Sequence, residues 1–406
     1  MDANELLQKA VSLAPKVKAI SQDVSRRHIQ RDDIIKATWL AIVSGRPAFF
    51  LGTPGVDKTG TIKAMIRKIH GAVFYEALMP MLSSGSELIV ESTSLREKQE
   101  PDGGKTISTV DKLGRAASAH IFFGDEIWKT PDVALKMLFD LFNMDDIRHD
   151  GQVVHNPLLT FLAASNELPE PESQLEALWS RMSIRVQVNS LNRFGKKQLV
   201  EARLNRYRET AEGEKAESKV ETLTLEEAKM LKKARPFVEI SEEIIETVLS
   251  FLEELLDDDS SDFQWAWDDD RRFGRLFDVM QANALLNGRT KVTKTDMSVL
   301  EWMLWDEPGQ IAVLKAKLAP YTRTVLDEAQ EVIDALLAPG GTVDTVLGGN
   351  RSKAVEALTQ AEEAEKELKR LKGEADAQDA VDIEALLTQL SDTKKDIIAV
   401  VTGQKK

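Results

Sequence analysis

One stretch constrains this chain more than any other: Gly52-Thr53-Pro54-Gly55-Val56-Asp57-Lys58-Thr59. It meets the pattern G-x-x-x-x-G-K-[ST] at every fixed position except the last glycine, where Asp57 stands. A short apolar run, Pro47-Ala48-Phe49-Phe50-Leu51, leads into it, and a helix is expected from about Lys58. A loop between a strand and a helix aims backbone N–H groups at an anion, and the helix dipole favours negative charge there. Lys58 is then placed to reach the β- and γ-phosphates of ATP, and the Thr59 hydroxyl to coordinate Mg²⁺. Gly52 to Thr59, with Gly60 behind them, form the expected nucleotide cradle.

Asp57 carries a charge where an anion is to bind. At about 5 Å from one phosphate charge, its carboxylate costs on the order of 3 kcal/mol at an effective dielectric of ~20. A side chain turned outward to water removes most of that cost and leaves a working site. One turned inward leaves a weakened or regulatory site.

Two further stretches suit the same chemistry. Ile121-Phe122-Phe123-Gly124 is apolar and delivers Asp125 and Glu126 at its end. Such a pair can hold the Mg²⁺ shell through Asp125 and polarise an attacking water through Glu126. The run Leu158 to Ala164 ends in Ser165-Asn166, where Asn166 can orient water or touch the γ-phosphate, or simply form a turn. Arg181, in Leu175-Glu176-Ala177-Leu178-Trp179-Ser180-Arg181-Met182, can stabilise phosphoryl-transfer charge when a neighbouring subunit supplies it.

The rest of the sequence narrows the class. The formal net charge is −14, which argues against a nucleic-acid binder that works by neutralising phosphates and in favour of protein partners. There is no cysteine, so disulfides and thiolate sites are excluded and a cytoplasmic location is expected. No apolar run approaches the roughly 18–20 residues that span a bilayer, and the N-terminus lacks the pattern of a signal peptide. His28, His70, His120, His149 and His155 are scattered without H-E-x-x-H spacing, which speaks against catalytic zinc. No G-x-S-x-G element accompanies a serine triad.

Short apolar strands alternating with helices predict an α/β fold, a parallel sheet covered on both faces, over residues 1–190 with N-terminal helices from about residue 5 to 44. Residues 191–240 read as a charged helical connector. Residues 241–310 read as an all-α unit that opens with Ser241 as a helix cap. Within it Trp265, Trp267, Trp302 and Trp305 suit either core packing or a partner-binding surface. Residues 311–406 read as a helical extension, with a turn-rich linker over 338–350. Beyond that linker, Ala354, Leu358, Ala361, Ala364, Leu368 and Leu371 repeat at three- and four-residue steps, and a second apolar helix spans about 381–401, a pattern for a helical hairpin or short coiled coil. It would either dock on its own assembly or reach a partner.

Taken together, Gly124 to Lys129, Ala163 to Glu170 and Leu175 to Met182 resemble the MoxR branch of the AAA+ ATPases, and most of all its RavA-type members. Asp270-Arg271-Arg272, Gln281-Ala282, Asn287-Gly288-Arg289 and Leu304-Trp305 extend the resemblance over roughly residues 20–310. It implies an αβα P-loop core followed by an all-helical lid, joined into hexamers with ATP between subunits. By position, Asn166 is similar to the family's sensor 1, Arg181 to its arginine finger and Arg271 to its sensor 2 arginine, which touches the γ-phosphate of its own subunit. Arg185 is an alternative to Arg181. Residues 76–118 look like the family's insertion, a hairpin turning at Pro101-Asp102-Gly103-Gly104. The family commonly serves von Willebrand factor A-domain proteins in chaperone-like maturation, cofactor insertion or stress responses. Asp57 departs from its pattern, and the extension has no evident match in it.

The function expected is therefore ATP hydrolysis in a ring that remodels a protein partner. The alternatives are a scaffold ring in which nucleotide only fixes assembly, and a nucleic-acid motor on the same core.

Overall fold

A computed structural model describes residues 2–82, 90–99, 105–114, 116–143, 146–149, 152–170, 175–211, 222–257, 263, 269–338, 340–375 and 377–402. The chain divides into two units, Met1–Leu318 and Ala319–Lys406.

The first unit opens with helices α1 (Ala3–Val11), α2 (Ala14–Ser25) and α3 (Asp32–Ser44). The expected helical stretch over 5–44 is thus broken twice. Helix α3 is apolar nearly all round and buries every residue from Ala37 to Ser44, so it lies inside the unit rather than on it. It stops at Gly45, whose φ of 70° is the left-handed turn that ends many helices.

Next come β1 (Ala48–Leu51), α4 (Lys58–Ile66), β2 (Ile69–His70) and β3 (Phe74–Leu78). Strands β4 (Val90–Gln99) and β5 (Lys105–Leu113) pair antiparallel, the hairpin expected within 76–118. Its predicted turn, Pro101 to Gly104, lies outside the described residues. Then follow β6 (Ile121–Asp125), α5 (Asp132–Asn143) and a second antiparallel pair, β7 (Asp146–His149) with β8 (Gln152–His155). That pair was not foreseen. Strand β9 (Thr160–Ser165), the short helix α6 (Glu176–Trp179) and β10 (Ile184–Gln187) close the α/β part.

The main sheet runs β10–β1–β9–β6–β3 with every pairing parallel. This is the α/β architecture read from the alternating apolar runs. Phe49, Phe50, Phe122, Phe123 and Phe161 are each at most 1% exposed on it. At roughly 1.5–3 kcal/mol per buried large side chain, these five dominate the local hydrophobic drive. Register then matters for function. Leu51 pairs with Ser165, and Asp125 with Ala164, so β1, β6 and β9 end side by side.

Helix α7 (Arg193–Ala211) leads away from the sheet. Strand β11 (Leu223–Thr224) pairs with β2, and α8 (Leu225–Ala234) begins with a capping box between Thr224 and Glu227. Helix α9 (Glu242–Leu256) starts at the cap expected of Ser241, whose hydroxyl accepts from the Ile244 N–H. Helix α10 (Asp270–Leu286) packs against α3, and α11 (Gln310–Thr322) ends the unit. The predicted helix over 295–305 is instead a 3-10 stretch, Lys294–Trp302. Trp305 is fully buried and Trp302 half-buried, so both serve packing, whereas Trp265 and Trp267 lie outside the described residues.

The second unit holds α12 (Val325–Leu336), α13 (Thr342–Leu347), α14 (Ala354–Glu374) and α15 (Ala377–Thr402). The hairpin expected of its last two helices is present, but the linker read over 338–350 contains a helix. Helices α12 and α13 pack on the hairpin and close a core with Ala357, Ala361, Leu368, Ile383, Leu390 and Ile397. The α14 seam passes through Ala357, and Leu358 is only partly buried. Small side chains at the seam let the helices approach closely. No described helix is long and apolar enough to cross a membrane.

Candidate nucleotide site

Chain order and sheet order differ at β1. The chain leaves it through α4 for β3 at the far edge, while β1 itself lies between β10 and β9. Beyond the ends of such strands a crevice opens, the usual place for ligands in parallel α/β sheets. Gly52 to Gly60 occupy it. The Gly52 N–H donates to the Ser165 carbonyl at 3.1 Å, tying the loop to β9 and bringing Asn166 to its lip. Gly55 takes φ 83°, a conformation glycine enters without strain.

Lys58, Thr59 and Asp125 lie together here. The Thr59 hydroxyl donates to Asp125 Oδ2 at 3.1 Å, setting two oxygen donors side by side. Lys58 Nζ donates to the carbonyls of Gly52 and Thr53. Burial pulls its pKa down, and the nearby Asp125 carboxylate opposes that. Glu126 is the only acidic residue among the described ones in the left-handed region besides Asp57, at φ 53°, and its carboxylate takes Lys129 Nζ at 2.9 Å. Glu126 and Asn166 are both exposed or partly so at the crevice.

Mg²⁺ fits this set. Among the described residues no group of three or more His, Cys, Asp or Glu stands ready to enclose a metal. A hard cation that keeps its waters and takes one or two protein oxygens plus phosphate oxygens needs none. Thr59 and Asp125 supply such oxygens.

The Asp57 side chain is half exposed and has a neighbour of its own. Its backbone is left-handed, φ 63° and ψ 31°, a state that Asp tolerates better than most non-glycine residues. Its Oδ2 lies 2.7 Å from His28 Nδ1. Arg31, nearly buried, donates from Nε to the Val56 carbonyl at 2.7 Å. His28 and Arg31 were not singled out from the sequence as site residues, because nothing local marks a residue about 25 positions upstream as a neighbour of the loop. A cavity of about 1140 Å³ opens beside them, lined in part by His28, Ile29, Arg31, Gly55, Val56 and Asp57.

The arginines lie elsewhere. Arg181 stands before β10 begins, with Nη1 on the Ala177 carbonyl and its guanidinium over the Phe139 ring. Arg275 of α10 donates to the Ser180 carbonyl at 3.1 Å. Burial lowers the Arg275 pKa, as do the charges of Arg46, Arg181 and Arg271 beside it. Arg271 stands in the first turn of α10, one turn before Arg275. Arg185, the alternative finger, is fully buried. It donates to Asp306, to the Trp305 and Met182 carbonyls, and stacks 3.8 Å over Trp179. It holds the interior together and cannot reach a neighbouring subunit.

A model of the "MoxR domain in the MoxR-vWA-beta-propeller ternary systems" matches residues 15–233, more than half of the chain. The chain belongs to the MoxR family. An AAA lid domain model matches residues 243–318, which identifies the helical part after the sheet as the lid of an AAA+ ATPase. An uncharacterized protein of Methanocaldococcus jannaschii is 26% identical over 376 residues, covering 89% of this chain and 90% of that one. A second from the same organism is 25% identical, covering 79% and 80%. A structural protein of Acidianus two-tailed virus is 25% identical over 186 residues, 44% of this chain and 28% of that protein. The crystal structure of a candidate ATPase from Cytophaga hutchinsonii shares the fold, with TM-score 0.53 and 16% identity over 76% of this chain and 95% of that one.

Proposed function

We propose that this MoxR-family chain hydrolyses ATP in a homo-hexameric ring and uses the cycle to remodel or mature a partner protein. The observation that carries the reading is the Thr59–Asp125 contact beside Lys58, at the point where β1 hands over to α4. The triphosphate lies along Gly52 to Gly60, received by backbone N–H groups and by the Lys58 ammonium. Base and ribose lodge in the cavity beside Ile29 and Val56. Thr59 and Asp125 hold Mg²⁺, which when bound offsets charge on the phosphate oxygens. Glu126 takes a proton from water as the water oxygen bonds to the γ-phosphorus. The bond to the bridging oxygen breaks, leaving ADP and phosphate. Asn166 orients the water. Arg181 acts on the ATP of the adjacent subunit, and Arg271 on the γ-phosphate of its own.

The description of the matching family model supports a von Willebrand factor A-domain protein as the partner. The acidic balance supports a protein partner over nucleic acid. The lack of cysteine supports a cytoplasmic location. A RavA-like subgroup rests on the sequence resemblance alone. The viral structural relative supports the second reading, a scaffold ring with weak hydrolysis.

Turnover of the purified protein beside Glu126→Gln separates the two. The hydrolase reading expects a loss of about 10²–10⁴-fold in the variant with ATP binding retained. Equal, negligible rates in both proteins leave the scaffold.

A further inference from the structure

The cradle contains an anion of its own, and the structure accounts for where that anion goes. Asp57 needs a left-handed backbone to let the loop turn into α4. Its carboxylate is then directed sideways by three neighbours. His28 Nδ1 lies 2.7 Å from Oδ2 and, facing a carboxylate, carries the proton it donates. Thr61 Oγ1, which donates to the Asp57 carbonyl at 2.7 Å, lies 3.2 Å from the same His28 nitrogen and fixes the ring. Gly60 makes room: a Cβ there would stand 2.1 Å from Asp57 Oδ1, a distance no real contact allows. Arg31, three residues after His28, grips the preceding Val56 carbonyl. The segment between α2 and α3 thus holds two consecutive loop residues.

The geometry points to His28 as a positioning residue that, with the bare Gly60, keeps the Asp57 carboxylate out of the phosphate cradle. This rests on the ATP-binding reading and deepens it. The loop tolerates an aspartate in place of glycine because a histidine about thirty positions upstream holds its carboxylate by a hydrogen bond. Without His28 the carboxylate is free to rotate toward the triphosphate, and like charges close together at low effective dielectric repel.

The test is a double-mutant cycle read by calorimetric ATP binding and steady-state kinetics on the full chain. His28→Ala is expected to weaken ATP binding on the order of tenfold, raising KM while kcat at saturating ATP stays near wild type. His28→Gln, which keeps a donor, is expected to recover most of that loss. Asp57→Gly binds at least as tightly as wild type, and His28→Ala adds no further loss to it. Gly60→Ala weakens binding, and Asp57→Gly suppresses the defect. The inference is overturned if His28→Ala costs the same factor in the Asp57→Gly background, since His28 then acts on the ligand itself. It is also overturned if Asp57→Gly alone weakens binding, or if His28→Ala changes nothing. Failure of the ATP-binding reading is distinguishable, because it shows as a wild-type chain that binds no nucleotide.

Discussion

The two ends of the central sheet are built on opposite plans. At the strand ends, Thr59 donates to Asp125, Lys58 to the carbonyls of Gly52 and Thr53, and Lys129 to Glu126. At the strand starts and the adjoining face, several polar groups pair in the interior, although Trp128 Nε1 is buried without a partner among the described residues. Asp306 accepts from Arg185, from Trp179 Nε1 at 2.9 Å and from Arg272, while Trp305 Nε1 donates to the Arg185 carbonyl at 3.0 Å. Phe49, Trp128, Trp179 and Trp305 pack edge to face or tilted around them, ring centroids 5.1–5.8 Å apart. The first end is arranged to be completed by a ligand. The second is closed largely by the protein's own side chains, and it joins the sheet to the lid.

The largest expected effect lies at the sealed end. Asp306→Ala leaves the buried Arg185 guanidinium without its carboxylate, and breaking such a pair costs about 3–5 kcal/mol. The midpoint of denaturant unfolding should drop accordingly, with ATP affinity of the folded fraction unchanged. Loss of affinity without loss of stability would break the contrast. At the open end Lys58→Ala should do the reverse. Removing a charged partner of the phosphates costs about 2–5 kcal/mol of binding, read by calorimetry, while the melting temperature without nucleotide hardly moves.

Acidity sharpens the comparison further. Burial pushes the Asp306 carboxyl up, but the charges of Arg185 and Arg272 outweigh it and hold the group below the usual aspartate range. Burial brings Arg185 down to about 10, so it stays protonated at neutral pH. A carboxyl whose folded pKa is depressed stabilises fully above its unfolded value and loses that contribution as pH falls through the folded one. The stability gap between wild type and Asp306→Asn should hold at neutral pH and narrow below about pH 4, checked by melts along an acid series. The smallest effect is expected of Arg275→Ala. It removes one bond to the Ser180 carbonyl, about 1 kcal/mol of stability, yet it loosens the segment that carries Arg181, so turnover should fall more than stability does.

The open end was legible in the sequence and the sealed end was not, for a physical reason. The phosphate loop and the Gly124-Asp125-Glu126 strand end are local patterns, in which adjacent residues share one task. Strands β1, β6 and β9 announce themselves as apolar runs. Strand β10 does not, because Arg185 interrupts it, and only the distant Asp306 explains an arginine in a core strand. Strand β3 sits at the sheet edge and mixes buried with exposed residues. The link from His28 to Asp57 depends on where α2 ends in space.

The last unit carries another lesson. Residues 319–406 shut their own apolar interior, with Ala357, Leu368 and Ile397 among those no more than 1% exposed. A part that closes a core of its own is suited to being inherited, lost or traded whole. Lineages can then refit one engine with different attachments, and the cargo served can change while the combustion chamber stays the same.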